Sequence, residues 1–242
     1  MLFRRLPLLR PGLLLVVGSL LLVGCATPSG NGPRSADTVS STAPLLPSML
    51  FPGGAERFEA WRCTPQQDLV TAFGKRELRL WSAHGAYRLT PAVVASGARY
   101  QQGDLSFWNK GGEAVVESAN GKLDCRADMA RAALTRQQRP GVMFHGRGNE
   151  PGWNVNLAHD APELTLVLDY GTREMTLPYR VIGMDNANGR VALASAAAQQ
   201  PFELRLEARA CFDDMSGEPF PARVTLSIDG ETYRGCGQGI AP

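Results

Sequence analysis

Two polar side chains in this 242-residue sequence stand where short glycine turns can hold them: Ser96, followed by Gly97, and Lys110, followed by Gly111 and Gly112. A hydroxyl both donates and accepts hydrogen bonds, and an ammonium donates three and pairs with a carboxylate. This is recognition chemistry: a short, rigid, polar prong suited to plugging a cleft. Taken alone, the same residues also describe ordinary solvated hairpin turns. Other candidates are weaker. Asp213, Asp214 and Glu218 cluster near a turn and read as a cation site or, more simply, as an acidic solvated turn. Glu150 beside Trp153 reads as a ligand edge or as a strand start with a packed aromatic. His84, His145 and His159 have no triad-like neighbours, and GxSxG, HExxH, P-loop and GxGxxG patterns are absent. The expectation is a non-enzyme with no cofactor. No CxxC or HxxxH spacing points to a metal.

The elements that must carry these side chains read as short strands. Leu78 and Leu80 alternate with Glu77 and Arg79, and Leu105-Ser106-Phe107-Trp108 and Glu113 to Glu117 follow with turns between them. Asn120-Gly121 is a hairpin signal leading to Cys125. From Val142 the alternation returns at Leu164-Leu166-Leu168, Phe202-Leu204-Leu206 and Val224-Leu226-Ile228, with Asp229-Gly230 as the last turn. The fold class is therefore all-β: two small antiparallel β-barrels or sandwiches, 55–128 and 142–242. The segment 129–141 between them reads as a short helical linker, because Met129 to Leu134 are good helix formers and Pro140-Gly141 ends them.

Ahead of these lies a different composition. Residues 1–24 have a basic start and an apolar run, which is a secretory signal too short for a comfortable membrane span. Leu22-Val23-Gly24-Cys25 resembles a bacterial lipobox. That resemblance implies cleavage before Cys25, its acylation (palmitate among the chains), and, with Ala26 following, sorting to the outer membrane on its periplasmic face. Residues 25–54 are rich in Ser, Pro, Gly and Thr and read as a flexible tether, apart from an unexplained apolar cluster at Leu45 to Phe51. Four cysteines remain. Cys63, Cys125, Cys211 and Cys236 allow three pairings, of which 63–125 and 211–236 is the simplest. A net charge of +2 gives no nucleic-acid footprint.

Trp61-Arg62-Cys63, Tyr87-Arg88-Leu89, Ser96-Gly97-Ala98-Arg99-Tyr100, Phe107-Trp108-Asn109-Lys110-Gly111-Gly112-Glu113-Ala114 and Cys125-Arg126 occur in that order. Together they resemble the MliC family of membrane-bound or periplasmic c-type lysozyme inhibitors. The resemblance implies a small antiparallel barrel with one disulfide and c-type lysozyme as the protein partner. It implies that Ser96 and Lys110, with Gly97, Tyr100 and Gly111 beside them, contact the lysozyme cleft. The sequence departs from the family at Thr64-Pro65-Gln66-Gln67-Asp68, where many members have an Asp-Gly-rich turn. It also lacks the acidity that would steer it to a basic enzyme. The second half resembles a bacterial lipoprotein domain of unknown role. The alternative reading is an envelope structural or ligand-binding lipoprotein whose acidic C-terminal domain carries the function.

Overall fold

Alternation closes into two barrels. The computed structural model describes residues 45–240; the leader 1–24, Cys25 and the tether as far as residue 44 lie outside the described residues. The first barrel is β1 (Arg57–Thr64), β2 (Leu69–Phe73), β3 (Leu78–Trp81), β4 (Ala86–Ala92), β5 (Ala98–Gln102), β6 (Leu105–Lys110), β7 (Glu113–Ser118) and β8 (Gly121–Ala132). Each strand pairs antiparallel with the next, and β8 returns to β1. Trp61, Leu69, Leu78, Leu80, Leu89 and Phe107 fill the interior, where Trp61 meets Phe107 edge to face at 5.2 Å. The Trp61 indole N–H is satisfied by the Thr71 hydroxyl at 2.8 Å. Cys63 and Cys125 face each other in register and are bridged.

The second barrel is β9 (Val142–Asn149), β10 (Gly152–Ala158), β11 (Glu163–Leu168), β12 (Arg173–Asp185), β13 (Arg190–Ser195), β14 (Phe202–Glu207), β17 (Ala222–Ile228) and β18 (Glu231–Gly239), which closes on β9. A small hairpin, β15 (Cys211–Phe212) with β16 (Pro219–Phe220), leaves the barrel between β14 and β17. The Cys211–Cys236 bridge ties it back. At the last turn Asp229 and Gly230 both take positive φ, 54° and 79°, as a two-residue primed turn requires.

The expected helix over Met129 to Leu134 does not form. Residues 129–132 are the end of β8 and pair with the start of β1, with Ala130 opposite Glu59 and Ala132 opposite Arg57. Ala133 continues the contact by donating its N–H to the Glu56 carbonyl at 2.8 Å. Ladder pairing overrides a modest helix propensity here, worth only tenths of a kcal/mol per residue, roughly.

β2 and β3 are buried on both faces, so their strict alternation is only half visible in the burial. Val70, Ala72 and Trp81 point away from the first barrel's interior, and with Phe58 they join the apolar cluster that fills the second barrel. Arg79, expected on a solvated face, is 7% exposed. Its guanidinium pairs with Glu77 and donates to the carbonyls of Ser48 and Phe51. Those carbonyls belong to the apolar cluster in the expected tether. Leu46 and Leu50 are buried, a 3-10 turn spans Ser48–Leu50, and the Trp81 indole donates to the Met49 carbonyl at 2.8 Å. Phe51 covers Gly239 of β18, where any Cβ would meet the ring at 2.4 Å. The segment from Leu46 onward is thus a wedge between the barrels, so the last residues of the expected tether, 46–54, belong to the packed body.

Candidate functional site

β4 runs toward the same barrel end at which β5 starts, and β6 toward the end at which β7 starts. The loop holding Ser96 and the turn holding Lys110 are therefore neighbours, as the pairing of Ala98 with Asn109 requires. The Lys110 turn is minimal: Lys110 pairs with Glu113, Gly111 and Gly112 make the corner, and Gly111 takes a φ of 65°. Ser96, Gly97, Lys110 and Gly111 are all exposed.

Contact between the two turns is direct. Gly97, at a φ of 73°, leaves a space that a Cβ would fill at 2.4 Å from the Asn109 carbonyl oxygen and 2.8 Å from Lys110 Cγ. Trp108 lies across both turns: its indole Nε1–H donates to the Ser96 carbonyl at 2.9 Å, and Lys110 Nζ sits 4.2 Å from its ring centre. Among the described residues no carboxylate lies within ion-pair distance of Lys110. Tyr100 does not sit with these four residues. It is half-buried, and its ring packs on Phe73 at 5.8 Å in the barrel interior.

A groove of about 560 Å³ opens beside Lys110 on the outer face. Register builds it as two rows: Trp108, Val115, Asp124 and Thr64, then Lys110, Glu113, Arg126 and Arg62. Arg126 reaches Glu113 at 3.6 Å, and Arg62 is held by Asp68 and Asp128. Sequence reasoning missed this groove, although the strand lengths and hairpin turns fix its rows.

The second barrel's candidates are used internally. The Asp213 carboxylate accepts from the Ser216 N–H at 2.8 Å, the Ser216 hydroxyl at 2.9 Å and the Asn149 amide at 3.1 Å, and pairs with Arg147 at 3.3 Å. Burial pushes this carboxyl up, and the Ser216, Asn149 and Arg147 contacts more than offset it, so it lies below the usual carboxylate range. Asp214 also receives the Asn149 amide, and Glu218 pairs with Arg147 at 2.6 Å. Among the described residues no group of three or more His, Cys, Asp or Glu is arranged to hold a metal. Trp153 is 4% exposed, donates to the Arg234 carbonyl at 3.1 Å and packs at a tilt against the Tyr233 ring, 5.9 Å between centres. Glu150 accepts from the Tyr170 hydroxyl at 3.0 Å. The barrel interior behind them is filled by Leu, Val and Phe side chains.

No curated protein matches the chain. Residues 61–124 match the family described as membrane-bound lysozyme-inhibitor of c-type lysozyme. That stretch runs from Trp61 on β1 to Asp124 on β8 and contains both turns. The barrel that carries Ser96 and Lys110 is thus a domain of the MliC family.

Proposed function

We propose that this chain inhibits c-type lysozyme, with the first barrel placing the Ser96 and Lys110 turns in the enzyme's cleft. The observation that carries this reading is the packing of the two turns against each other at one barrel end, in a domain of an inhibitor family. Glycoside hydrolysis uses two carboxyl groups, one protonated and one ionised. The Lys110 ammonium, free of a carboxylate within the described residues, is available to the ionised one. The Ser96 hydroxyl can donate to one and accept from the other. Gly97 and Gly111 keep the turn backbones thin enough for close approach. Occupation alone blocks the enzyme, and the inhibitor performs no chemistry.

In this reading Cys25 carries acyl chains that hold the protein at the outer membrane, facing the periplasm, and the second barrel buttresses the β1–β3 face of the first. The test is titration of the chain from Ala26 onward into a c-type lysozyme cell-wall lysis assay. Stoichiometric inhibition by the native chain, lost in the Ser96→Ala/Lys110→Ala double variant, is the expected result. No inhibition by the native chain at micromolar excess overturns it.

A further inference from the structure

Trp108 is a large aromatic that the core does not use. It lies on the outer side of β6, in register with Arg99 and Val115, while its neighbour Phe107 fills the interior. Its two polar capabilities are nonetheless both engaged. The indole N–H is committed to the Ser96 carbonyl, and the ring face is committed to Lys110 Nζ. A Cβ on Gly97, at a φ of 73°, would stand 3.1 Å from the indole nitrogen and only 2.4 Å from the Asn109 carbonyl oxygen, so glycine is what lets the Ser96 loop settle here.

We propose that Trp108 is a positioning residue for inhibition: it fixes the Ser96 loop and the Lys110 ammonium relative to each other before the enzyme is met. The proposal rests on the inhibitor reading. A lysine stem has several rotatable bonds, and the five-residue loop between β4 and β5 has many backbone states; freezing them beforehand removes an ordering cost from the binding step. The indole is suited to both tasks because a hydrogen bond fixes the loop's distance while the quadrupole of the ring holds the cation without neutralising it. A carboxylate in the same place would hold Lys110 more firmly and compete with the enzyme's own carboxylate.

The experiment compares Trp108→Phe, which keeps a ring beneath Lys110 and removes the N–H, with Trp108→Leu, which removes both. Inhibition constants, thermal midpoints and the proton resonances of the Lys110 ε-methylene are measured for each in the full chain. Trp108→Phe should weaken inhibition about three- to tenfold, the equivalent of one ordinary hydrogen bond, and Trp108→Leu further, with the midpoint little changed. In a Ser96→Ala background Trp108→Phe should cost less than about twofold, because the group it positions is already gone. The ring shifts the Lys110 ε-methylene upfield in the native protein and in Trp108→Phe, and that shift vanishes in Trp108→Leu. Native-like inhibition by Trp108→Leu, an equal loss in both backgrounds, or unmoved Lys110 resonances would each overturn the proposal. If the native chain fails to inhibit, the inhibitor reading falls, and the positioning claim then stands or falls on the Lys110 resonances alone.

Discussion

The guanidinium of Arg131, on β8, lies 3.8 Å from the centre of the Phe220 ring, on β16, so a cation–π contact joins a strand of the first barrel to a hairpin of the second. Arg131 also donates to the Pro219 carbonyl at 3.0 Å and approaches the Phe58 ring at 5.1 Å. Burial between these rings pulls its pKa down to about 10, which still leaves it charged at neutral pH. Arg131→Ala should cost roughly 2 kcal/mol and Phe220→Ala roughly 3 kcal/mol. Because they break the same contact, the double variant should cost clearly less than the sum. Urea denaturation midpoints test this, and strict additivity would contradict it.

The Gly97 and Gly111 turns should respond differently to alanine. Both have positive φ, so each substitution strains the backbone by about 1 kcal/mol. At Gly111 a Cβ meets nothing within 4 Å, whereas at Gly97 it collides with the Asn109 carbonyl. Gly97→Ala should therefore push the Ser96 loop off Trp108 and weaken lysozyme inhibition at least tenfold, while Gly111→Ala leaves the packing of the two turns intact and should weaken inhibition less, by what its added methyl group costs in the cleft. Parallel inhibition assays on the two variants decide it.

Acid should weaken the body through His145. This side chain is 6% exposed; burial lowers its pKa, against the Asn156 amide oxygen at 2.8 Å from Nδ1, and Arg139, Arg147 and Arg131 lower it further. A lowered folded pKa means that the unfolded chain binds the proton first. Stability is therefore full above the unfolded value of 6.5 and is lost as pH falls from there through the lower folded pKa. Denaturation midpoints should drop between pH 7.5 and 5, and His145→Gln should flatten that drop. An equally steep profile in the variant would assign the acid sensitivity elsewhere.

The two disulfides close loops of different length, with separations of 62 and 25 residues. By the chain-entropy argument, Cys63→Ala/Cys125→Ala should cost about 4 kcal/mol and Cys211→Ala/Cys236→Ala about 3.5 kcal/mol. The first pair closes β1 onto β8, so its loss should lower inhibition and stability together. The second should leave inhibition by the folded protein unchanged. Calorimetry alongside the lysis assay separates the two.

The all-β class and the two β domains were legible because alternation and turn glycines act locally; closure into barrels rather than sandwiches, and the cysteine pairing expected as the simplest of three, are long-range outcomes that the structure supplies. Ser96 and Lys110 were legible as turn residues for the same reason. Three features were not. Met129 to Ala132 carry helix-forming side chains, and only the long-range partner β1 makes them a strand. Arg79 sits at a polar position of an alternating run, yet the backbone carbonyls of Ser48 and Phe51 satisfy it in burial. Asp213, Asp214 and Trp153 looked available in sequence because their partners Asn149, Arg147 and the Arg234 carbonyl are distant along the chain. Trp108 could have been singled out: it adjoins Phe107 on one strand, and two neighbouring aromatics must point to opposite faces.

Both sheets close on themselves, β8 onto β1 and β18 onto β9. Neither barrel therefore offers a free strand edge whose amides could zip onto another copy. A protein gathered at high density on a surface meets its own copies far more often than it meets a target. With both barrel ladders already occupied, crowding cannot convert these two sheets into a shared, growing one. What the two barrels leave exposed for contact is side chains and turns, so copies brought close together have no barrel strand to share.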